Sequence, residues 1–388
     1  MPWLIVAGVA APFGFNVIPA LLPAIQAEFV LDPGHMQWMV SIYSFTLALG
    51  QLIAGPLSDA FGRRVILLAG LAIFVGASIG AALADSYSCL LACRFLQGLG
   101  GCVTLMIPRA AVRDRYAGPD AARAMAMVMI SMSLTPAIAP LVGGMLQTWF
   151  GWRAGFFACA VLGAVLLVLG HRLHGETLPP ASRVRARLGE TLGNYAALFR
   201  AWRFCAYAFG FSLLNCSFIG FFVIGPGFLT RSFGMTPVGI SLAMLAAYGG
   251  FAAGNFLAAR HVRRAGVDRL LAFGLAFGCA GTLSLLVLAG QAHWEWILAA
   301  LALQSFGTGL AFATGIAGAT AVYPERAGTA AALVGAIQLL TGALFAVLSG
   351  ALDDGSLKPL AWSSLVLCAG AAACIWPLWR RREAVGVR

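Results

Sequence analysis

Charge is what this chain has least of. Only 10% of its 388 residues are charged and 61% are hydrophobic, with a mean hydropathy of +0.88; a soluble domain has about a quarter charged residues. Lysine occurs once, as Lys358. A GxxxxGK[ST] phosphate loop needs its lysine on the phosphates, so an ATP-driven motor within this chain is excluded. Lys358 also falls in a loop, which argues against a buried Schiff-base lysine. The five histidines include no HExxH, and the nine cysteines include no CxxC. The cysteines lie mostly inside apolar runs and read as small buried hydrophobes, with no metal site and no cofactor implied. No nucleophile–base pair converges in sequence, so the chain does not read as an enzyme. The net charge of +11 comes from arginines scattered at the ends of apolar runs. That pattern fits membrane topology and anionic lipid better than nucleic acid.

What is present is a series of about twelve apolar runs of roughly 17–25 residues, each long enough to cross a bilayer. They fall at Trp3–Ile25, Met39–Leu57, Val65–Ala84, Cys89–Pro108, Ala122–Leu146 and Ala154–Gly170. After a polar stretch they resume at Phe204–Thr230, Val238–Ala259, Arg269–Gly290, Trp294–Val322, Ala327–Gly350 and Ala361–Trp379. The first run has no charged n-region or cleavage site and is read as a retained span. The predicted fold class is an all-α membrane protein of two six-helix bundles. The N-terminal bundle covers residues 1–171, a cytoplasmic linker 172–203, and the C-terminal bundle 204–388. The linker carries Pro179, Pro180 and arginines spaced by apolar residues, as a flexible or amphipathic segment on the inner leaflet would.

Arginine placement sets the orientation. With an even number of spans and both termini inside, 21 of the 25 basic residues face the cytoplasm. Arg153, Arg231 and Lys358 face out, and Arg94 lies within the fourth span. Cytoplasmic loops carry such an excess. Tryptophans, Trp3, Trp149, Trp152 and Trp379 among them, fall near span ends, where interfacial rings sit.

Polar side chains inside spans are costly and are functional candidates by default. Arg94 leads, with Gln97 three residues on and on the same helical face; the alternative is that Arg94 snorkels to the outer surface. Asn16 stands before Pro19 and Pro23, where it can bond a ligand or serve as interhelical glue. Tyr43, Gln51, Asn215, Tyr248, Asn255, Gln304 and Gln338 are weaker candidates, Gln51 and Asn255 lying near the inner ends. In the fifth span Pro136, Pro140, Gly143 and Gly144 combine a bend with a close helix approach, as a rocking machine or a fixed kink would. No Asp or Glu occupies the middle of any span.

Between the second and third spans the chain reads GPLSDAFGRR, with Gly55, Asp59, Gly62, Arg63 and Arg64 at fixed spacing. This resembles the signature loop of the major facilitator superfamily. RFLQGLGG, with Arg94 and Gly98, resembles the arginine motif of drug/proton antiporters, and APLVGG resembles their proline-glycine motif. IPALLPAI, PRAAVRDRY and RAGTAAAL are similar to Bcr/CflA drug-resistance carriers. The resemblance implies alternating-access export of amphipathic drugs in exchange for protons. It implies a breakable latch in which Asp59 faces the start of the eleventh span, near Ala327–Thr329, and Arg63 pairs with Asp114. Two positions depart from it: Ala60 stands where a basic residue is common, and Asn16 where an acid is common. An asparagine cannot release a proton.

The expectation is therefore a monomeric, multi-pass carrier of the bacterial inner membrane, with a small-molecule substrate and protons as its partners. The alternatives are a carrier of a small polar metabolite and a non-transporting membrane sensor.

Overall fold

The computed structural model describes residues 2–116, 118–173, 175–179, 183, 188–288, 293–323, 327–352 and 354–383. All regular structure among them is helical. In hydrocarbon a backbone N–H or C=O has no water to bond, and a helix satisfies both within one segment. Ten described helices are long and apolar enough to cross a membrane, and a bent pair, Ala10–Ala20 with Leu22–Phe29, makes an eleventh. A further helix of 33 residues, Gly118–Phe150, is long enough as well. The chain divides into two compact units, Met1–Thr191 and Leu192–Arg388.

Unit 1 opens with a broken span. Helices α1 (Pro2–Ala7), α2 (Ala10–Asn16) and α3 (Leu22–Phe29) are separated by bends and a 3-10 turn, Ile18–Ala20. Pro19 and Pro23 have no N–H, so the carbonyls four residues before them lose their helical donors. The chain turns by 61° there. Then come α4 (Pro33–Phe61), α5 (Arg63–Ala82), α6 (Tyr87–Arg115), α7 (Gly118–Phe150) and α8 (Arg153–Leu173). At the far end from the α4–α5 turn, Glu28 accepts from Trp152 Nε1 at 2.6 Å and from Arg153 at 2.7 Å, and Arg153 also reaches the Ala84 carbonyl at 3.3 Å. This clasp ties the ends of α3, α5 and α8 together.

The second span differs from the sequence reading. GPLSDAFGRR is not a turn: α4 runs unbroken through Pro56 to Phe61, and the reversal is a single residue, Gly62, at φ 101°. One proline removes one helical hydrogen bond, which a long helix tolerates, whereas a positive φ is open to glycine without strain.

Between the spans of the two units lies α9 (Leu188–Arg200), so the polar stretch of the sequence is partly helical. Unit 2 continues with α10 (Trp202–Phe233), α11 (Pro237–Ala265), α12 (Val267–Leu288), α13 (Trp294–Ala321), α14 (Ala327–Ala351) and α15 (Lys358–Glu383). Helix α10 is its axis: 89% of its membrane stretch is buried, against α13, α14 and α15. An aromatic group joins α10 to α11, with Phe218–Phe222 and Phe222–Tyr248 centroids both 4.7 Å apart and Phe251 stacked on Phe218. Such pairs each add about 1 kcal/mol beyond burial. Helices α11 and α13 meet backbone to backbone. A Cβ on Gly254 would stand 2.1 Å from the Phe306 carbonyl, and one on Gly309 2.1 Å from that of Phe251. Small residues permit this approach, which drives packing where lipid offers no hydrophobic gain.

Candidate functional site

Arg94 does not snorkel. It lies in the second turn of α6 with no exposed surface. Its Nε donates to the Met39 carbonyl of α4 at 3.2 Å. Its Nη1 donates to the Gly14 carbonyl of α2 at 3.0 Å and to Gln97 Oε1 at 2.5 Å. The guanidinium carbon sits 4.0 Å above the Tyr43 ring centroid. Gln97 passes the chain on, donating to Ser78 of α5 at 2.7 Å. One cation thus joins four segments, α2, α4, α5 and α6. Its remaining nitrogen, Nη2, is buried without a hydrogen-bond partner.

The broken first span is held by the same neighbourhood. The Tyr43 hydroxyl donates to the Ala11 carbonyl at 2.9 Å, and the Ala11 N–H donates to Thr104 Oγ1 at 3.2 Å. Asn16 is 5% exposed and donates to its own helix, at Pro12 O, 2.7 Å away. Gly143 of α7 lets the bend come close: a Cβ there would meet the Val17 carbonyl at 2.8 Å. Gly144, Pro136 and Pro140 lie on the same continuous helix α7. Sequence reasoning found Arg94, Gln97, Asn16 and Tyr43 but missed Ser78 and Thr104. A hydroxyl in a span usually bonds its own helix, so those two carry no signal until their partners are known.

In unit 2 the candidates divide. Gln338 of α14 donates to Asn215 Oδ1 of α10 at 3.2 Å. Gln304 of α13 is buried, and its Nε2 has no hydrogen-bond partner. Ser212 and Ser217 of α10 and Ser305 of α13 have buried hydroxyls in the same condition. Asp268, an acid outside the middle of any span, is 4% exposed in the first turn of α12 and accepts from the Tyr207 hydroxyl. It borders a cavity of about 350 Å³ shared with Arg203 and Gly318.

The charged motif of unit 1 forms a compact cluster. Arg63 Nη1 lies 2.5 Å from Asp59 Oδ1, and Arg63 Nε donates to Asp114 Oδ2 at 3.1 Å. Asp59 is thus engaged by Arg63 across the α4–α5 turn. Arg64 donates to the His171 carbonyl at 2.7 Å. Gly55, one turn before Asp59, lies inside α4 against the Met106 side chain. The sequence reading missed the keystone, Glu176. One of its oxygens accepts from the Arg63, Thr177 and Leu178 N–H groups, each at 3.0 Å, and the other from Arg64 N at 3.4 Å. The first N–H groups of any helix lack intrahelical partners. Gly62 has no side chain to cap α5, so the acceptor must come from elsewhere in the chain. That need was readable; the distance of 113 residues to its answer was not.

Burial opposes ionisation of Glu176, but the N–H groups of Leu178, Arg63, Arg64 and Thr177 outweigh it and hold the carboxyl below the ordinary glutamate value. The ionised form is therefore favoured by folding. Its contribution is complete above about pH 4.3 and fades as pH falls below that, through the folded-state value. Glu176→Ala is expected to cost about 1 kcal/mol, as loss of a helix cap does. It should also flatten the acid limb of a melting-temperature profile measured from pH 7 to pH 2. An unchanged acid limb would remove Glu176 from that role.

Comparison with known proteins agrees with this architecture along the whole chain. The profile of the Major Facilitator Superfamily matches residues 4–230 and 207–387. Multidrug resistance protein D of Escherichia coli is 30% identical over 368 residues, covering 90% of this chain and 89% of that protein. A bicyclomycin resistance protein homolog of Haemophilus influenzae is 27% identical, covering 90% and 88%. The crystal structure of a D-xylose-proton symporter superposes with a TM-score of 0.80 over 96% of each chain at 15% identity, which establishes the fold alone. A signature turn at Gly62, a buried arginine in the fourth span and a profile match over both units lead to one assignment: the chain belongs to the Major Facilitator Superfamily, where it resembles the Bcr/CflA-like drug-resistance carriers.

Proposed function

We propose that this protein is a secondary carrier of the bacterial inner membrane that exports amphipathic drugs by alternating access, in exchange for protons. The observation that carries the reading is Arg94: a fully buried cation inside a membrane span, held only by carbonyls, an amide and a ring. Burying a charge is costly and is retained where it does work. The names of the relatives supply the substrate class. Both termini lie in the cytoplasm, the bundles at residues 1–171 and 204–388 are the moving parts, and the chain acts as a monomer. The cluster of Asp59, Arg63 and Asp114 is remade in each turnover, while Glu176 holds α5 in place.

Expression in an efflux-deficient host tests export and its energy source together. The minimum inhibitory concentration of chloramphenicol should rise at least four-fold, and a protonophore should return cellular drug accumulation to that of the empty host. No change in susceptibility across a panel of lipophilic drugs would overturn the reading.

A further inference from the structure

The polar groups buried in the two units are unequal in sign. Arg94 is enclosed in unit 1, and its partners are all neutral: the Met39 and Gly14 carbonyls, Gln97 and the Tyr43 ring. No carboxylate forms an ion pair with it among the described residues. Asn16, two residues beyond Gly14, is an amide. In unit 2 the mid-span groups are also uncharged: Asn215, Gln338, Gln304, Ser212 and Ser305. Asp268 is the buried acid among the described residues, and it lies in the first turn of α12 beside Tyr207 and Arg203. Among the candidate residues inside the spans, the buried atoms without a hydrogen-bond partner, Arg94 Nη2 and Gln304 Nε2, are donors.

We propose that the substrates of this carrier are neutral, acceptor-rich amphiphiles and lipophilic anions, and that lipophilic cations are disfavoured, with Arg94 setting the sign. The inference rests on the export reading above and names its substrate class. A donor buried without a partner carries its full desolvation penalty until an acceptor arrives. A bound acceptor or anion relieves it; a cation adds repulsion. At an effective dielectric of about 20, two like charges roughly 8 Å apart lose about thirty-fold in affinity. No carboxylate in mid-span offsets that loss.

Tetraphenylborate and tetraphenylphosphonium have nearly the same shape and opposite charge. Each is titrated as an inhibitor of chloramphenicol uptake into vesicles holding the full-length protein, with concentrations corrected for partition into protein-free vesicles. The borate is expected to inhibit at least ten-fold more strongly. Asn16→Asp, assayed at pH 8, is expected to shift the ratio at least ten-fold towards the phosphonium. Equal or stronger inhibition by the phosphonium in the wild type overturns the proposal, and so does an unshifted ratio in Asn16→Asp. Should no chloramphenicol move, the export reading fails separately. Quenching of tryptophan fluorescence by the two ions then still decides the charge preference.

Discussion

Replacing Arg94 by alanine is expected to lower drug transport more than a hundred-fold and to destabilise unit 1 by about 3 kcal/mol. The side chain supplies three hydrogen bonds and a ring contact to α2, α4 and α6. Its removal takes the donor from the Gly14 carbonyl and from Gln97 Oε1 in an enclosed space, at about 1–3 kcal/mol for each acceptor left unsatisfied. The loss is partly offset because a desolvated charge also disappears. The functional loss is the larger effect, since the bend of the first span hangs from Gly14. Arg94→Lys does not rescue it: an ammonium on a flexible stem cannot reproduce the planar fork that reaches Met39 through Nε while Nη1 holds Gly14 and Gln97. Transport in vesicles, measured beside the melting temperature of the same preparation, separates the two effects. Wild-type transport in Arg94→Ala would remove the residue from the mechanism.

Gly309→Leu is the second large effect, and it acts on folding. A Cβ on Gly309 would stand 2.1 Å from the Phe251 oxygen, 2.9 Å from its carbon and 3.1 Å from Asn255 N. All three are backbone atoms, so no rotamer change can relieve the clash. Helices α11 and α13 must separate, and with them the reciprocal seat of Gly254 on Phe306. Overpacking costs about 1–3 kcal/mol when side chains can yield and more when backbone must move. We expect under a tenth of the wild-type yield of monodisperse protein by size exclusion. Gly249→Ala, on α11 but with no atom within 4 Å of its Cβ, is the control. It should melt at or slightly above the wild-type temperature, because alanine loses less backbone entropy than glycine in a helix.

How far the sequence could be read follows from what lipid makes visible. Spans are legible because their length and lack of charge are forced by the bilayer, and Arg94 is legible because a cation there is an exception. The end of α4 was misplaced because GP reads as a stop, yet one proline is a small cost beside the positive φ of Gly62. The burial of Asp268 was not legible, because the environment of a residue two places into a helix depends on the rotation of that helix. The pairing of Asn215 with Gln338 was likewise hidden: each was a lone amide, and only the approach of α10 and α14 joins them. Glu176 lay outside every motif, and its role exists only because α5 begins without a cap of its own.

The broken first span carries a consequence for biosynthesis. Its fastenings are Tyr43, Arg94, Thr104 and the gap beside Gly143, and all of them follow it in the chain. A ribosome adding about 5–20 residues per second delivers Gly143 many seconds after Val17. This span therefore leaves the ribosome well before the residues that secure it. Until then its unpaired backbone groups must be sheltered by the insertion machinery or the headgroup region.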